Sequence, residues 1–394
     1  MAFYLKQGKR NLLEDIKGDE TELNKLQDFL SNLCNTKHIN FLLGSGASST
    51  SIPTMLKMAE KVEDILDEAE SKVEGVKPLY ESLKYKYNGN LEEILGILYS
   101  KQIYDNGVGS NDPKVSTLAS EIEEVIYREI NVDIYSEDHS LTVDLYKLLY
   151  DKMSKRSRDL PRLNVFTTNN DLFNEAALDL LGIDYNNGFG GGLKKLFNPS
   201  RFNYSYSKAS ETLPDRYEAI NNMVYLYKLH GSINWREFDS GSYFLNIEEF
   251  EVEPGTSNNE VALIYPTPLK QNKSLGTPYA DIMREFKAKI SIPNSVLFVI
   301  GYSFSDEHVN NFIYYALSSN SSLSVVLFGD FEDKPIYEVG DNRVFSIYGK
   351  HEDGEKVHYF KSVVERLLPD LDADKKKDFL KEFSEKLNDL VRQQ

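Results

Sequence analysis

Ile39-Asn40-Phe41-Leu42-Leu43-Gly44-Ser45-Gly46-Ala47-Ser48-Ser49 is an apolar run that stops abruptly at glycine. A short apolar run closed by a turn signal reads as a buried strand, and the glycines after it as a tight turn. From Pro53 onward the spacing is helical. Strand, glycine-rich turn and helix in that order predict the first half of a nucleotide-binding βαβ unit. The turn would aim its backbone N–H groups at an anion, and the following helix its positive N-terminus. The third glycine of the usual dinucleotide fingerprint is missing, and so is the Gly-Lys-Ser/Thr ending of a P-loop. Both a hydride-transferring dehydrogenase and a P-loop ATPase therefore lose ground. Taken alone, the turn is equally explained as a tight strand-to-helix connection with no ligand.

Outward from this unit the pattern repeats. Residues 163–167 predict a strand running into Thr168-Asn169-Asn170-Asp171 and a helix over 172–181. Residues 223–229 predict a strand that delivers His230-Gly231-Ser232, and 261–265 another. Residues 296–300 end in Gly301-Tyr302-Ser303-Phe304-Ser305-Asp306, with a helix over 307–317, and 323–328 end in Gly329-Asp330. Strands alternating with helices predict an α/β fold, a Rossmann-like parallel sheet with helices on both faces. Residues 1–37 read as an N-terminal helical segment, with Leu23, Leu26, Leu30 and Leu33 on one face. The nucleotide-binding domain then occupies 38–350. Within it 72–152 form a helical insertion or cap, striped by Leu91, Ile94, Leu95 and Leu98 and divided by a loop at 106–113. The stretch 185–217, rich in Gly, Asn and Ser, reads as a long surface segment. Residues 351–394 read as a charged helical tail, its run Lys375-Lys376-Lys377 a solvated face.

Composition narrows the class. The 394 residues carry 45 Lys+Arg against 62 Asp+Glu, a net charge of −17, so a basic nucleic-acid-coating surface is not expected. With 25 Tyr and 21 Phe there is apolar mass for a sizeable core. Cys34 is the only cysteine, which excludes a disulfide framework and any zinc site of several cysteines. No stretch approaches the roughly 20 apolar residues of a membrane span. The start, Met1-Ala2-Phe3-Tyr4-Leu5-Lys6, lacks the apolar centre of a signal peptide. The expectation is a soluble cytoplasmic protein with no membrane contact.

In an open parallel sheet, ligands bind outside the carboxyl ends of the strands. Polar clusters just past four predicted strand ends therefore point to one pocket. Asn169 offers donor and acceptor atoms that can hold a water or a sugar hydroxyl without ionising; Asn170 or Asp171 would also serve as a helix cap. Of six histidines only His230 stands between a strong strand and a Gly-Ser turn, where a neutral imidazole can take a proton from a hydroxyl. A structural histidine at a strand end would look the same. His308 belongs on the first turn of its helix and is not assigned as a base. No metal is expected, since no i, i+4 histidine pair or Cys/His cluster is present. A Gly-x-Ser-x-Gly elbow is also missing, which counts against a serine hydrolase.

Taken in order, Gly44-Ser45-Gly46-Ala47-Ser48, Thr167-Thr168-Asn169-Asn170-Asp171, His230-Gly231 and Gly301-Tyr302-Ser303 resemble the sirtuin family. Its sequences carry Gly-Ala-Gly-x-Ser, Thr-Gln-Asn-x-Asp, His-Gly and Gly-Thr-Ser at such strand ends. Sirtuin deacylases also hold a four-cysteine zinc module, which this chain cannot build. That departure, with His230-Gly231-Ser232-Ile233-Asn234-Trp235 and the run from Gly301 to His308, resembles the bacterial sirtuin-like branch of antiphage defence. There the domain hydrolyses NAD+, and a chain of this size resembles the subunit paired with a HerA-type ATPase/translocase. The resemblance implies NAD+ as substrate and no metal. It gives Asn169 to the ribose and water, and His230 the role of base. Asp171 falls near the nicotinamide carboxamide, and Thr168 is among the NAD+-binding residues. Gly44, Ser45, Gly46, Ala47 and Ser48 would cradle the pyrophosphate, with Gly301, Ser303, Phe304, Asp306 and Gly329 on the adenosine side. A homo-oligomer is expected, since the helical region around 72–152 and the charged C-terminal helix supply surface beyond what a nucleotide-binding sheet needs, and an ATPase ring partner would match a symmetric assembly. A deacylase or ADP-ribosyltransferase, and a nucleotide-binding regulatory subunit without turnover, are the alternatives.

Overall fold

The computed structural model describes residues 2–14, 21–68, 73–157, 159–210, 215–220, 222–237, 246–256 and 278–371. Strands are numbered in chain order. The first five are β1 (Ala2–Gln7), β2 (Arg10–Asn11), β3 (His38–Leu43), β4 (Leu163–Thr167) and β5 (Asp184–Asn186). Short strands follow: β6 (Phe189–Gly190), β7 (Lys195–Phe197), β8 (Ser207–Ala209) and β9 (Tyr217–Ala219). The last six are β10 (Met223–Lys228), β11 (Trp235–Glu237), β12 (Ile247–Glu249), β13 (Ser295–Ile300), β14 (Leu323–Phe328) and β15 (Val344–Lys350).

A 9-stranded sheet runs in the order β2-β1-β15-β14-β13-β3-β4-β10-β5. From β15 to β5 every neighbouring pair is parallel. The chain leaves β3 toward β4 and β10, then returns to the other side of β3 through β13, so the strand order reverses around β3. A crevice opens at the carboxyl ends beside such a reversal. Parallel strands are covered on both faces and read as continuous apolar runs, as β13 (SVLFVI) does with every residue buried. On one face lie α1 (Glu22–Cys34), α6 (Ser140–Ser154) and α7 (Phe173–Leu181), packed through Leu30, Tyr146 and Phe173. On the other lie α8 (Tyr279–Ile290) and α9 (Glu307–Ser319), packed through Phe286 and Ile313.

Between these layers in sequence come α2 (Met55–Glu68), α3 (Val76–Lys86), α4 (Leu91–Val108) and α5 (Pro113–Ile130). They form a bundle with its own core of Val62, Tyr80, Leu95 and Ile122. The expected stripe on α4 is fully buried there. The loop between α4 and α5 follows from its residues. Gly109 closes α4 in the left-handed region (φ 71°), Asp112 caps α5, and Pro113 opens it. Ile233, from the loop after β10, is buried in this bundle, so the bundle abuts the carboxyl ends of the sheet.

Several expectations change. The first residues are not helical: β1 pairs antiparallel with β15, with Phe3 and Leu5 buried and Lys6 half-buried. Alternation, rather than a helical period, governs that segment. The helix α6, grouped by sequence with the insertion, packs on the sheet instead. The stretch after β5 is not an irregular loop; β6 and β7 join β12 and β11 in a 4-stranded sheet around Trp235 and Phe197. The strand expected over 261–265, and the tail beyond 371, lie outside the described residues.

At the end of the sheet nearest β1, a buried histidine contact predicts a pH dependence of stability. The ring of His351 meets Phe3 edge-on at 5.2 Å, and its Nε2 lies 2.6 Å from Ser362 Oγ. Burial, aided by the Arg366 charge, lowers its pKa from the usual histidine value. The unfolded chain therefore binds this proton more readily than the folded one. This contribution to stability is present above about pH 6.5 and is lost as pH falls through the folded pKa. The melting temperature should respond to that range, and His351→Gln should respond less; equal responses would show that the contact carries no such linkage.

Candidate functional site

The loops after β3, β4, β10 and β13 are stitched together at the carboxyl ends by main-chain hydrogen bonds. Gly44 N donates to Ile300 O and Gly46 N to Gly301 O, both at 2.9 Å. Thr168 N donates to Leu43 O (3.0 Å), Leu229 N to Thr167 O (2.8 Å) and Ile233 N to Asn170 O (3.1 Å). The residue clusters 44–48, 168–171, 230–232 and 301–306 therefore border one another. Gly329 lies farther along the same edge, after β14, and is buried under Phe331.

The glycines serve this loop packing. A Cβ on Gly44 would fall on the carbonyl oxygen of Gly301, and one on Gly46 would lie 2.7 Å from Gly301 Cα. Gly301 itself has φ +66°, and its Cβ would lie 2.6 Å from Ala47 N. The N–H groups of Gly44, Gly46, Ala47 and Ser48 all donate to main-chain carbonyls, of Ile300, Gly301, Gly44 and Ser45. This revises the phosphate-cradle expectation: these four donors are engaged within the chain. Nor does a long helix follow the turn directly, since a 3₁₀ turn over Ser45–Ala47 intervenes and α2 begins only at Met55. Gly44→Ala should cost about 1–3 kcal/mol or more, because backbone atoms rather than a flexible side chain must yield. Urea denaturation reads this; an unchanged midpoint would show that the two loops separate freely.

Below the loops lies a polar floor. Asn169, only 7% exposed, donates from Nδ2 to Ser48 Oγ at 3.1 Å. Ser48 Oγ lies 2.9 Å from the buried Tyr146 hydroxyl of α6. The Asp171 carboxyl contacts both Ser48 and Asn169 and accepts from Phe173 N at 3.2 Å. Burial raises the Asp171 pKa, partly offset by the Lys228 charge. Asp171 is thus buried against Asn169 and also fixes the start of α7. Tyr146 was not legible as a site residue, because nothing local marks a helical tyrosine as the partner of a distant serine. With Nδ2 of Asn169 turned to Ser48 and Asp171, its Oδ1 is directed away from them. Asn170 faces the other way and donates from Nδ2 to His230 O (2.8 Å) and Gly231 O (3.1 Å).

His230 Nε2 lies 2.8 Å from Asp306 Oδ2. A carboxylate only accepts, so Nε2 of the neutral ring carries the proton and Nδ1 the lone pair. The other Asp306 oxygen caps α9, accepting from His308 N (2.8 Å) and Val309 N (3.2 Å). Asp306 therefore pairs with His230 while it caps α9. Just before it, Phe304 has φ +58°, a strained conformation for an aromatic residue. Its carbonyl accepts from Asn310 Nδ2 at 2.9 Å, and its ring packs on Tyr302 and Phe331. Ser303 is exposed, with Oγ 3.0 Å from that of Ser305. Among the described residues, no three His, Cys, Asp or Glu side chains are grouped to hold a metal.

A cavity of about 760 Å³ opens at the opposite end of the sheet, lined by Leu163, Met223, Val224 and Arg156. It lies at the amino-terminal ends of β4 and β10. There Arg156 is engaged with the main-chain carbonyls of Cys34, Thr36 and Pro161. It shares nothing with the four loops, and the geometry of a parallel sheet favours the carboxyl ends.

Asn169, His230 and Asp306 stand on one continuous segment of the sequence that bears a family signature. Residues 163–339 match the SIR2-like domain family. The match runs from β4 past β14, so it spans these three residues with Gly301 and Gly329 and leaves out the Gly44–Ser48 turn. No curated protein matches the sequence. Solved structures that align with the chain include a Sir2 homologue mutant in complex with ADP-ribose, at 13% identity and TM-score 0.37, covering 80% of this chain and 94% of that one. Sir2Tm bound to a propionylated peptide aligns at 15% identity and TM-score 0.36, covering 80% and 95%. A Sir2 homologue–NAD complex aligns at 12% identity and TM-score 0.36, covering 80% and 91%.

Proposed function

We propose that the chain binds NAD+ as substrate over the carboxyl ends of β4, β10 and β13 and hydrolyses it to nicotinamide and ADP-ribose. The observation that carries this reading is an oriented amide at the end of β4 beside a histidine–carboxylate pair at the end of β10. Nicotinamide leaves with the electron pair of the N-glycosidic bond, and the anomeric carbon becomes oxocarbenium-like. Asn169 Oδ1 accepts from a ribose hydroxyl or from the attacking water. As the water oxygen bonds to carbon, His230 Nδ1 takes its proton, while Asp306 holds the ring and stabilises the imidazolium. The proton then returns to solvent.

The sirtuin-like resemblance supports the substrate, and the single cysteine supports hydrolysis over deacylation, since the four-cysteine zinc module cannot form. The same resemblance extends the proposal to an antiphage effector that depletes NAD+, assembled as a homo-oligomer with a HerA-type ATPase. Chromatographic analysis of NAD+ incubated with the purified chain, alone and with such an ATPase, tests the reaction. Equal amounts of nicotinamide and ADP-ribose are expected. Intact NAD+ under both conditions overturns the reading, and O-acetyl-ADP-ribose from an acetylated peptide would replace it with a deacylase.

A further inference from the structure

Lys228 ends β10, two residues before His230, and is only 1% exposed. Its ammonium is surrounded by oxygens from two separate loops. From the β4 side come the main-chain carbonyls of Asn170 (3.4 Å) and Asp171 and the Oε1 of Glu175 (3.0 Å) in α7. From the β10 side comes Ser232 Oγ at 2.6 Å. The loops meet again where Ser232 Oγ lies 3.4 Å from Asn170 O, and where Asn170 reaches the carbonyls of His230 and Gly231. All of these links but that between Lys228 and Ser232 join the segment that carries Asn169 to the segment that carries His230.

Stability alone gives no reason for a charge here. A buried ion pair can usually be replaced by apolar residues of similar volume without loss, because desolvation consumes the Coulombic gain. This pair is also incompletely satisfied: Glu175 Oε2 is buried with no partner among the described residues. A lysine offers what an apolar side chain lacks, three donors that fix several carbonyl oxygens at once. Burial raises the Glu175 pKa while the ammonium lowers it, so the lysine also favours the charged form of its partner.

We infer that Lys228, with Glu175, is a positioning residue that clamps the Asn169 and His230 loops in the register the reaction needs, without touching substrate. This rests on the proposed NAD+ hydrolysis for its catalytic consequence, but the clamp has a readout of its own. The test compares the full-length chain with Lys228→Met/Glu175→Leu, which removes both charges and preserves volume; Lys228→Met alone leaves Glu175 unpaired and serves as the destabilised control. In the double variant, amide hydrogen exchange should speed up by about tenfold or more in 168–173 and 230–234 and stay unchanged in β3 and β13. The turnover number should fall on the order of 100-fold with KM for NAD+ within about threefold. Unchanged exchange in both loops overturns the clamp whatever the activity. Faster exchange with wild-type turnover overturns its catalytic part. If the unmodified chain shows no NAD+ turnover yet exchange rises in both loops, the clamp stands and the proposed reaction falls.

Discussion

Asn169→Ala is expected to lower NAD+ turnover by about 10²–10⁴-fold, because in the proposed mechanism it removes the acceptor for the reacting ribose or water. The amide is held from three sides. Ser48 Oγ takes its Nδ2, Asp171 lies against it, and Tyr146 anchors Ser48 from α6. Such anchoring costs nothing at the moment of reaction and keeps Oδ1 in one direction. Truncation also removes one donor each from Asp171 and Ser48, so a stability loss of about 1–3 kcal/mol accompanies the change. The two effects separate if nicotinamide release at saturating NAD+ is read beside the melting temperature. Asn169→Asp sharpens the test: its size is conserved, but a second carboxyl beside Asp171 forces one of the two to hold a proton. His230→Ala should lose turnover to a similar degree while leaving this floor intact. Wild-type nicotinamide release from both alanine variants would place the chemistry elsewhere.

The buried half of the fold was written plainly in the sequence. Parallel strands covered on both faces have no solvent side to alternate with, so 39–43, 163–167, 296–300 and 323–328 stand out as mostly apolar runs, broken only by Asn40, Asn164, Thr167 and Ser324. Strand β1, between the two-residue edge strand β2 and β15, does alternate, with Phe3 and Leu5 buried and Tyr4 and Lys6 half-buried, but six residues give too short a pattern to outweigh the helix after it. The site divides in the same way. That Asn169 and His230 each follow a strand is local information. That Asp306 pairs with His230 is not, because 76 residues separate them and an aspartate before a helix already has a sufficient explanation as a cap. Nor could spacing show that Gly44 and Gly301 are required by each other. Lys228 resembles any charged residue at a strand end until the fold brings α7 over it.

Asp306→Asn is expected to separate the two tasks of that side chain. The asparagine Oδ1 can still accept from the N–H groups of His308 and Val309, and asparagine caps helices about as well as aspartate, so the melting temperature should hold within a few degrees. Its other terminal atom becomes an N–H donor facing His230 Nε2 across the 2.8 Å contact. The ring must then accept at Nε2 and carry its proton on Nδ1, which leaves no lone pair where the mechanism needs one. Flipping the amide to restore the acceptor would direct two donors at the start of α9 and forfeit the cap. Turnover should therefore fall on the order of 10²–10⁴-fold without matching loss of stability, whereas Asp306→Ala should lose the same activity and about 1 kcal/mol of stability as well. Nicotinamide release and thermal melting of the two variants decide between the roles. If the asparagine variant turns NAD+ over at the wild-type rate while the alanine variant only melts earlier, Asp306 is a helix cap that happens to touch an imidazole. A rate lost in both, with stability lost in one, makes the carboxylate the group that holds His230 in its reactive tautomer.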